Sequence, residues 1–212
     1  MEPTERIYLT PTPIRIWHWV NALAIVTLCA TGAQIRFPEY VNLFGTYKGA
    51  IRLHNTAGIV ASLSFLLWLL YYLVFARTLL KIYLPTLDDL TRGLVRQAKF
   101  YFWDYFFGGT PNPHTTTPLN KFNPLQKSAY AVLMIVLVPL IIVSGIGLLN
   151  FAPLRGWIMA VGGIKLLAGA HYLIACAFCA FVFTHAYLAT LGHTAFAHFK
   201  PMWTGWEEVE QH

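Results

Sequence analysis

Acidic side chains are scarce in this sequence and missing where burial would cost them most. The 212 residues hold nine Asp and Glu against fifteen Lys and Arg, and charged residues make up only 11%. No acid falls within four long apolar stretches, at about residues 14–36, 52–76, 125–150 and 166–191. A proton relay built on intramembrane carboxylates is thereby excluded. Cysteine is sparse too. Cys29, Cys176 and Cys179 all lie inside apolar stretches, which argues against the disulfide framework of a small secreted domain. The "CAFC" of residues 176–179 lacks a following His, so covalent c-type haem attachment is unsupported, and both cysteines read as packing residues. Residues 1–13 are polar and proline-rich, without a cleavable signal pattern, so the first apolar stretch is expected to direct insertion.

What is abundant is hydrophobicity: 57% of residues, with a mean hydropathy of +0.53. Each stretch reaches the roughly 20 residues needed to cross a hydrocarbon core of about 30 Å. The expected fold is an all-α integral membrane protein, a four-transmembrane-helix bundle forming one domain over residues 1–212. A net charge of +6 invites a nucleic-acid reading, but the placement of the charges speaks for topology instead. Arg6, Arg15, Arg77, Lys81, Arg92, Arg96, Lys99, Lys121, Lys127 and Lys200 fall on one side of the alternating spans. Arg36, Lys48, Arg52, Arg155 and Lys165 fall on the other. Ten against five puts both termini and the long middle loop in the cytoplasm. No nucleic-acid partner is expected; membrane lipid is.

The loop at residues 77–122 is too long for a plain connector. Leu87, Leu90, Leu94 and Val95 recur at helical spacing, predicting an amphipathic cytoplasmic-side helix between helices two and three, with Arg92, Arg96 and Lys99 toward lipid phosphates. Docking of a cytoplasmic partner is the alternative use of that helix. "FAPLRGWIMAVGGIK" predicts a short interfacial helix between helices three and four. Helix three carries Pro139, Gly145 and Gly147, which suit a kink and close packing, or room for a flat macrocycle.

Four of the eight histidines lie inside spans. His171 and His185 are fourteen residues apart, hence about 40° apart in direction and roughly 21 Å in height on one helix face. Chain direction brings His171 level with His54, and His185 level with His18. Two level pairs of imidazoles facing each other across a bundle are what axial ligation of two haem irons requires. Zinc fits less well, because neither level offers a third or fourth donor. His114, His193, His198 and His212 read as solvated or interfacial.

The segments "RIWHW", "RLHNTAG", "KFNPLQK" and "FKPMWTGW", with the two histidines of helix four, resemble the di-haem cytochrome b subunits of nickel-iron hydrogenases, formate dehydrogenases and thiosulfate reductases, the bacterial cytochrome b561 group. The resemblance covers nearly the whole chain. It implies two b-type haems, one held by His18 and His185 near the cytoplasm and one by His54 and His171 near the outer face, the pairing that depth alone selects. It further implies the quinone-reactive electron-transfer subunit of an oxidoreductase complex in a bacterial inner membrane, using quinone or menaquinone at the cytoplasmic side. An iron–sulfur or cytochrome redox subunit would be its partner on the periplasmic side. "KFNPLQK" resembles the segment lining the quinone pocket, nominating Asn123, Gln126 and Lys127; Asn123 before Pro124 also suits a helix N-cap. Arg15 and Arg52 could pair haem propionates, or reach lipid headgroups. Two alternatives stand beside this reading: a stand-alone cytochrome b561 serving a small diffusible species, and a haem-free anchor or small transporter.

Overall fold

In hydrocarbon, backbone polar groups have no water to bond, so a chain with these runs satisfies them within helices. The computed structural model describes residues 4–108, 110–117, 119–190 and 199–210. Among the described residues, four helices are long and apolar enough to cross a membrane: α1 (Thr12–Arg36), α2 (Tyr47–Phe75), α5 (Pro124–Leu149) and α7 (Gly163–Leu188). Between α2 and α5 lie a short α3 (Leu79–Tyr83) and a helical stretch, α4, over residues 89–107. α6 (Phe151–Ala160) joins α5 to α7, and α8 (Lys200–Thr204) precedes the C-terminal strand. The helix expected between helices three and four is present as α6. α2 begins at Tyr47 rather than near residue 52, because Thr46 caps it by accepting a hydrogen bond from Gly49 N at 3.0 Å. α7 begins at Gly163, three residues earlier than expected, and its expected terminus at residue 191 lies outside the described residues.

The large apolar side chains of the spans point outward: Leu23 is 72% exposed and Leu173 70%. Surface of that kind suits lipid and not water. Polar groups are turned inward instead. Gln34, buried near the end of α1, accepts hydrogen bonds from Leu43 N and Phe44 N at 3.0 and 2.9 Å and fixes the α1–α2 connection. Trp17 Nε1 donates to the Ser64 carbonyl at 3.0 Å, tying α1 to α2 near their other ends. In α5 a π-helical turn, Val132–Leu137, precedes Pro139, whose missing N–H and ring bulk disfavour a regular α-helical ladder there.

The two ends of the described chain are joined by a sheet that the sequence reading did not anticipate. β1 (Thr4–Tyr8) pairs antiparallel with β2 (Trp206–Glu210), from Thr4 opposite Glu210 to Tyr8 opposite Trp206. Leu9 N and Thr10 N donate to the Gly205 carbonyl. Gly205 has φ +88°, and a Cβ there would sit 2.5 Å from the Tyr8 ring, so glycine is required. Trp19 Nε1 donates to the Met202 carbonyl at 2.9 Å, Trp19 packs on Trp203 at 4.5 Å, and Arg15 donates to the Trp203 carbonyl. "RIWHW" and "FKPMWTGW" are therefore two halves of one clasp.

The loop helix α4 forms where the apolar spacing predicted it. Its packed side holds Gly93, Gln97 and Asp104, while Leu87, just ahead of it, and Val95 and Phe102 stay exposed. A Cβ on Gly93 would fall 2.7 Å from Pro124 Cγ, so this glycine lets α4 lie against the start of α5. Asp89 secures the contact. Its carboxylate accepts from Thr86 N at 2.8 Å while Thr86 Oγ1 accepts from Asp89 N at 3.1 Å, a reciprocal cap, and it pairs with Lys127 Nζ at 3.3 Å.

Both partners are enclosed, the Lys127 side chain 7% exposed and that of Asp89 15%, so removing one strands the other. Burial alone would raise the Asp89 pKa, but the Thr86 hydrogen bonds and the Lys127 ammonium outweigh it and hold the carboxyl below its ordinary value. A depressed carboxyl stabilises the fold above its unfolded pKa and ceases to as pH falls through the folded one. Asp89→Asn should lower stability by about 3 kcal/mol at neutral pH. Thermal melts in detergent should show the wild-type advantage fading below pH 4; a constant difference from pH 7 to pH 3 would contradict the pairing.

Candidate functional site

Helix periodicity places each of the four span histidines on an inward face, and the structure brings them together in twos. His18, in the second turn of α1, faces His185, in the last turn of α7, with ring centroids 6.3 Å apart. His54, two turns into α2, faces His171 of α7 at 6.4 Å. The first pair lies at the end of the bundle that carries β1 and β2, and the second lies toward the opposite end. A metal–nitrogen bond of about 2 Å plus the imidazole radius, doubled, puts two rings on one metal at about 6.3 Å. Both pairs match that span.

The pair at the far end is also oriented. Thr31 Oγ1 lies 2.9 Å from His54 Nδ1, and Ser144 Oγ lies 2.9 Å from His171 Nδ1. Each hydroxyl has one proton to give, and gives it to its own helix: Thr31 to the Thr27 carbonyl at 2.7 Å, Ser144 to the Leu140 carbonyl at 2.7 Å. With those protons given to the helix, each oxygen faces the imidazole as an acceptor, an arrangement that suits a proton on Nδ1 and a free Nε2 lone pair for coordination. Thr31 is fully buried and Ser144 nearly so. The next residue in each case is a glycine against the same ring. A Cβ on Gly32 would lie 3.6 Å from His54 Cε1, and one on Gly145 would lie 3.4 Å from His171 Cε1.

The pair near the termini is framed by rings instead. His185 stacks on Phe181 at 5.5 Å and 14°, and His18 meets the edge of Trp19 at 5.2 Å. His18 Nδ1 is buried with no hydrogen-bond partner among the described residues. α7 packs mainly on α5 and α6 and makes little direct contact with α1 and α2. The donor set suits haem iron. Two imidazoles per level would be the protein ligands such an iron takes, and among the described residues no group of three or more His, Cys, Asp or Glu is assembled for a closed metal site.

The other nominated residues are distributed unevenly. Arg15, three residues before His18, is held by the Trp203 carbonyl and Thr12 Oγ1, while Arg52 is exposed near His54. Asn123 is the N-cap of α5 in a complete capping box with Gln126: Asn123 Oδ1 accepts from Gln126 N at 2.9 Å, and Gln126 Oε1 accepts from Asn123 N at 3.0 Å. Asn123 Nδ2 also donates to Tyr101 OH at 3.1 Å, and Lys127 is paired with Asp89. Cys179 turns away from Cys176 and meets Cys29 of α1, sulfur to sulfur at 3.0 Å, while Cys176 is exposed. His114, expected to be solvated or interfacial, is half-buried, and that burial pushes its pKa down. His193, His198 and His212 lie outside the described residues. Thr31 and Ser144 escaped the sequence reading. Their signal was a hydroxyl–glycine dipeptide, Thr31–Gly32 and Ser144–Gly145, recurring in two apolar helices.

Residues 9–205 match the family described as prokaryotic cytochrome b561. The Escherichia coli (strain K12) protein named "Putative cytochrome YdhU" is 30% identical over 211 residues, covering 95% of this chain and 75% of that one. A "Probable Ni/Fe-hydrogenase B-type cytochrome subunit" of Rhodobacter capsulatus is 42% identical over 67 residues, 28% of this chain and 25% of that protein. The protein of the same name from Cupriavidus necator is 58% identical over 31 residues, 15% of this chain and 13% of that one. The hydrogenase subunits are thus matched over a quarter of their length or less. No solved structure matches. With paired histidines between four apolar helices and a family match spanning all four, the chain is a multi-pass membrane b-type cytochrome of electron transfer and belongs to the prokaryotic cytochrome b561 family.

Proposed function

We propose that the chain is a di-haem cytochrome b that carries electrons across a bacterial inner membrane between a quinone pool and a redox subunit on the outer face. The observation that carries this reading is the repetition of one geometry, two imidazoles about 6.3 Å apart, at both ends of the same four helices. His18 and His185 would hold one b-type haem near the cytoplasm, and His54 and His171 another near the periplasm. Bound there, the haems would supply one-electron redox centres.

The protein's own part is placement and electrostatics. Thr31 and Ser144 fix the tautomer and turn of the outer ligands; ligands held this way stay basic and pre-aimed. The spans exclude water from the space between the pairs. Arg15 and Arg52 stand beside ligand-bearing turns and supply cations for propionates. Ten basic residues on the terminal side against five on the other support cytoplasmic termini. α4 lies along that surface in this reading, with Leu87, Val95 and Phe102 in the lipid interface. Quinone or menaquinone meets the protein near "KFNPLQK", where Asn123, Gln126 and Lys127 shape the wall. That the hydrogenase relatives are named as subunits supports a redox partner for this chain, and in this reading an iron–sulfur or cytochrome subunit docks beyond His54 and His171.

Membranes containing the protein should show sharp b-type bands on addition of a quinol, and purification should retain a redox subunit. A pure chain with no haem bands would overturn the proposal. His54→Ala or His171→Ala should each remove one of two haems and leave the other, read as haem per chain; loss of neither contradicts the ligand set. Thr31→Val removes the hydroxyl that faces His54 Nδ1, and Ser144→Ala removes the one that faces His171 Nδ1. Either should weaken retention of the outer haem by about 10- to 100-fold, measured by haem transfer to an apoprotein acceptor, without affecting the inner one.

A further inference from the structure

Of the two lysines in "KFNPLQK", Lys121 is the one without an acidic partner among the described residues. Its neighbours are committed: Asn123 and Gln126 to the capping box, Lys127 to Asp89. Lys121 has no carboxylate partner among the described residues. Its ammonium donates to Tyr72 OH at 3.1 Å and lies 5.6 Å from the Tyr72 ring and 5.1 Å from the Phe122 ring. Behind these stands Tyr83, 5.1 Å from Tyr72 and 5.5 Å from Phe122, ring to ring. One hydroxyl and two ring faces leave two of the three ammonium protons without an acceptor. Burial pushes its pKa down to about 8. A buried cation is retained against that cost where it meets an anion.

The surroundings say where that anion belongs. From Phe122, rings run through Tyr130 at 4.8 Å and Phe181 at 6.1 Å from Tyr130, to His185 at 5.5 Å. From Tyr72, they run through Trp68 at 5.5 Å to Trp17 at 5.7 Å, the residue next to His18. Lys121 therefore sits where an aromatic row leading from His185 meets a second row leading from Trp17, the sequence neighbour of His18. Both rows are uncharged, and of the two lysines in this segment Lys127 is already paired with Asp89, so an anion entering this region meets the Lys121 ammonium.

We propose that Lys121 is an anion-binding residue of the cytoplasmic-side site, taking a carboxylate or a quinol oxygen that is losing its proton. This rests on the di-haem, quinone-reactive reading above. The carboxylate source is a haem propionate; the oxygen source is the quinol itself. Cation–π contact holds the ammonium in place until either arrives and leaves its remaining protons free to donate.

The test uses the purified holoprotein with Lys121→Met and Lys121→Arg, each checked for haem per chain. If the partner is a propionate, Lys121→Met lowers the midpoint potential of one haem, or loses that haem alone, and Lys121→Arg restores it, with quinol KM unchanged. If the partner is the quinol, KM for decylubiquinol or a menaquinol analogue rises about tenfold or more in Lys121→Met while both potentials stay put. Lys121→Gln carries the same readings should the Met variant not fold. Wild-type potentials and wild-type KM in a haem-replete, uncharged variant overturn the proposal. Absence of haem from the wild-type protein would instead overturn the reading on which it rests.

Discussion

Everything in this bundle is arranged around the difficulty of keeping imidazoles inside hydrocarbon. Each ring brings two nitrogens, and neither can be left to water that is not there. At the His54–His171 level the structure deals with one nitrogen of each ring through a hydroxyl whose own proton is already given to its helix. The second nitrogen of each ring is left for coordination, and the two rings stand at the span of a shared metal. The contact is small, yet it decides rotation, tautomer and direction together. At the His18–His185 level the same opposition is built with stacked and edge-on rings.

The rest of the fold keeps these four side chains at their depths. α1 and α2 pack closely and are locked by Gln34 at one end and the Trp17–Ser64 bond at the other. α7 carries one histidine from each pair, so its register sets both separations, about 21 Å apart along one face. The clasp between the start of α1 and the segment following α7 then fixes that end of the bundle, through Trp19, Trp203 and the strand pair. On the same side α4 is drawn against α5 by the Asp89–Lys127 pair, and the aromatic cluster around Trp68, Tyr72 and Tyr83 packs against Trp17.

The spans and the paired histidines were legible in the sequence because both follow from helix arithmetic: length against bilayer thickness, and fourteen residues against four turns. The helical nature of residues 89–107 was legible for the same reason, from the spacing of Leu87, Leu90 and Leu94. Contacts made across long separations were not. Five-residue strands at opposite ends of the chain carry too little pattern to announce each other, and nothing local links Asp89 to Lys127 or Cys29 to Cys179. The cap at Asn123 was readable from the Pro124 beside it; the commitment of Gln126 to that same cap needed the three-dimensional structure. Thr31 and Ser144 fall between these cases, visible as repeated hydroxyl–glycine pairs but meaningful only once each faces a ring.

The central claim is that two histidine pairs hold two haems in one chain. It is tested most directly by haem-to-chain stoichiometry on the purified protein, together with a near-infrared magnetic circular dichroism spectrum of the oxidised form. The account predicts two haems per chain, both low-spin with the charge-transfer band of two nitrogen ligands. One haem or none, or a band reporting an axial ligand other than histidine, would contradict it.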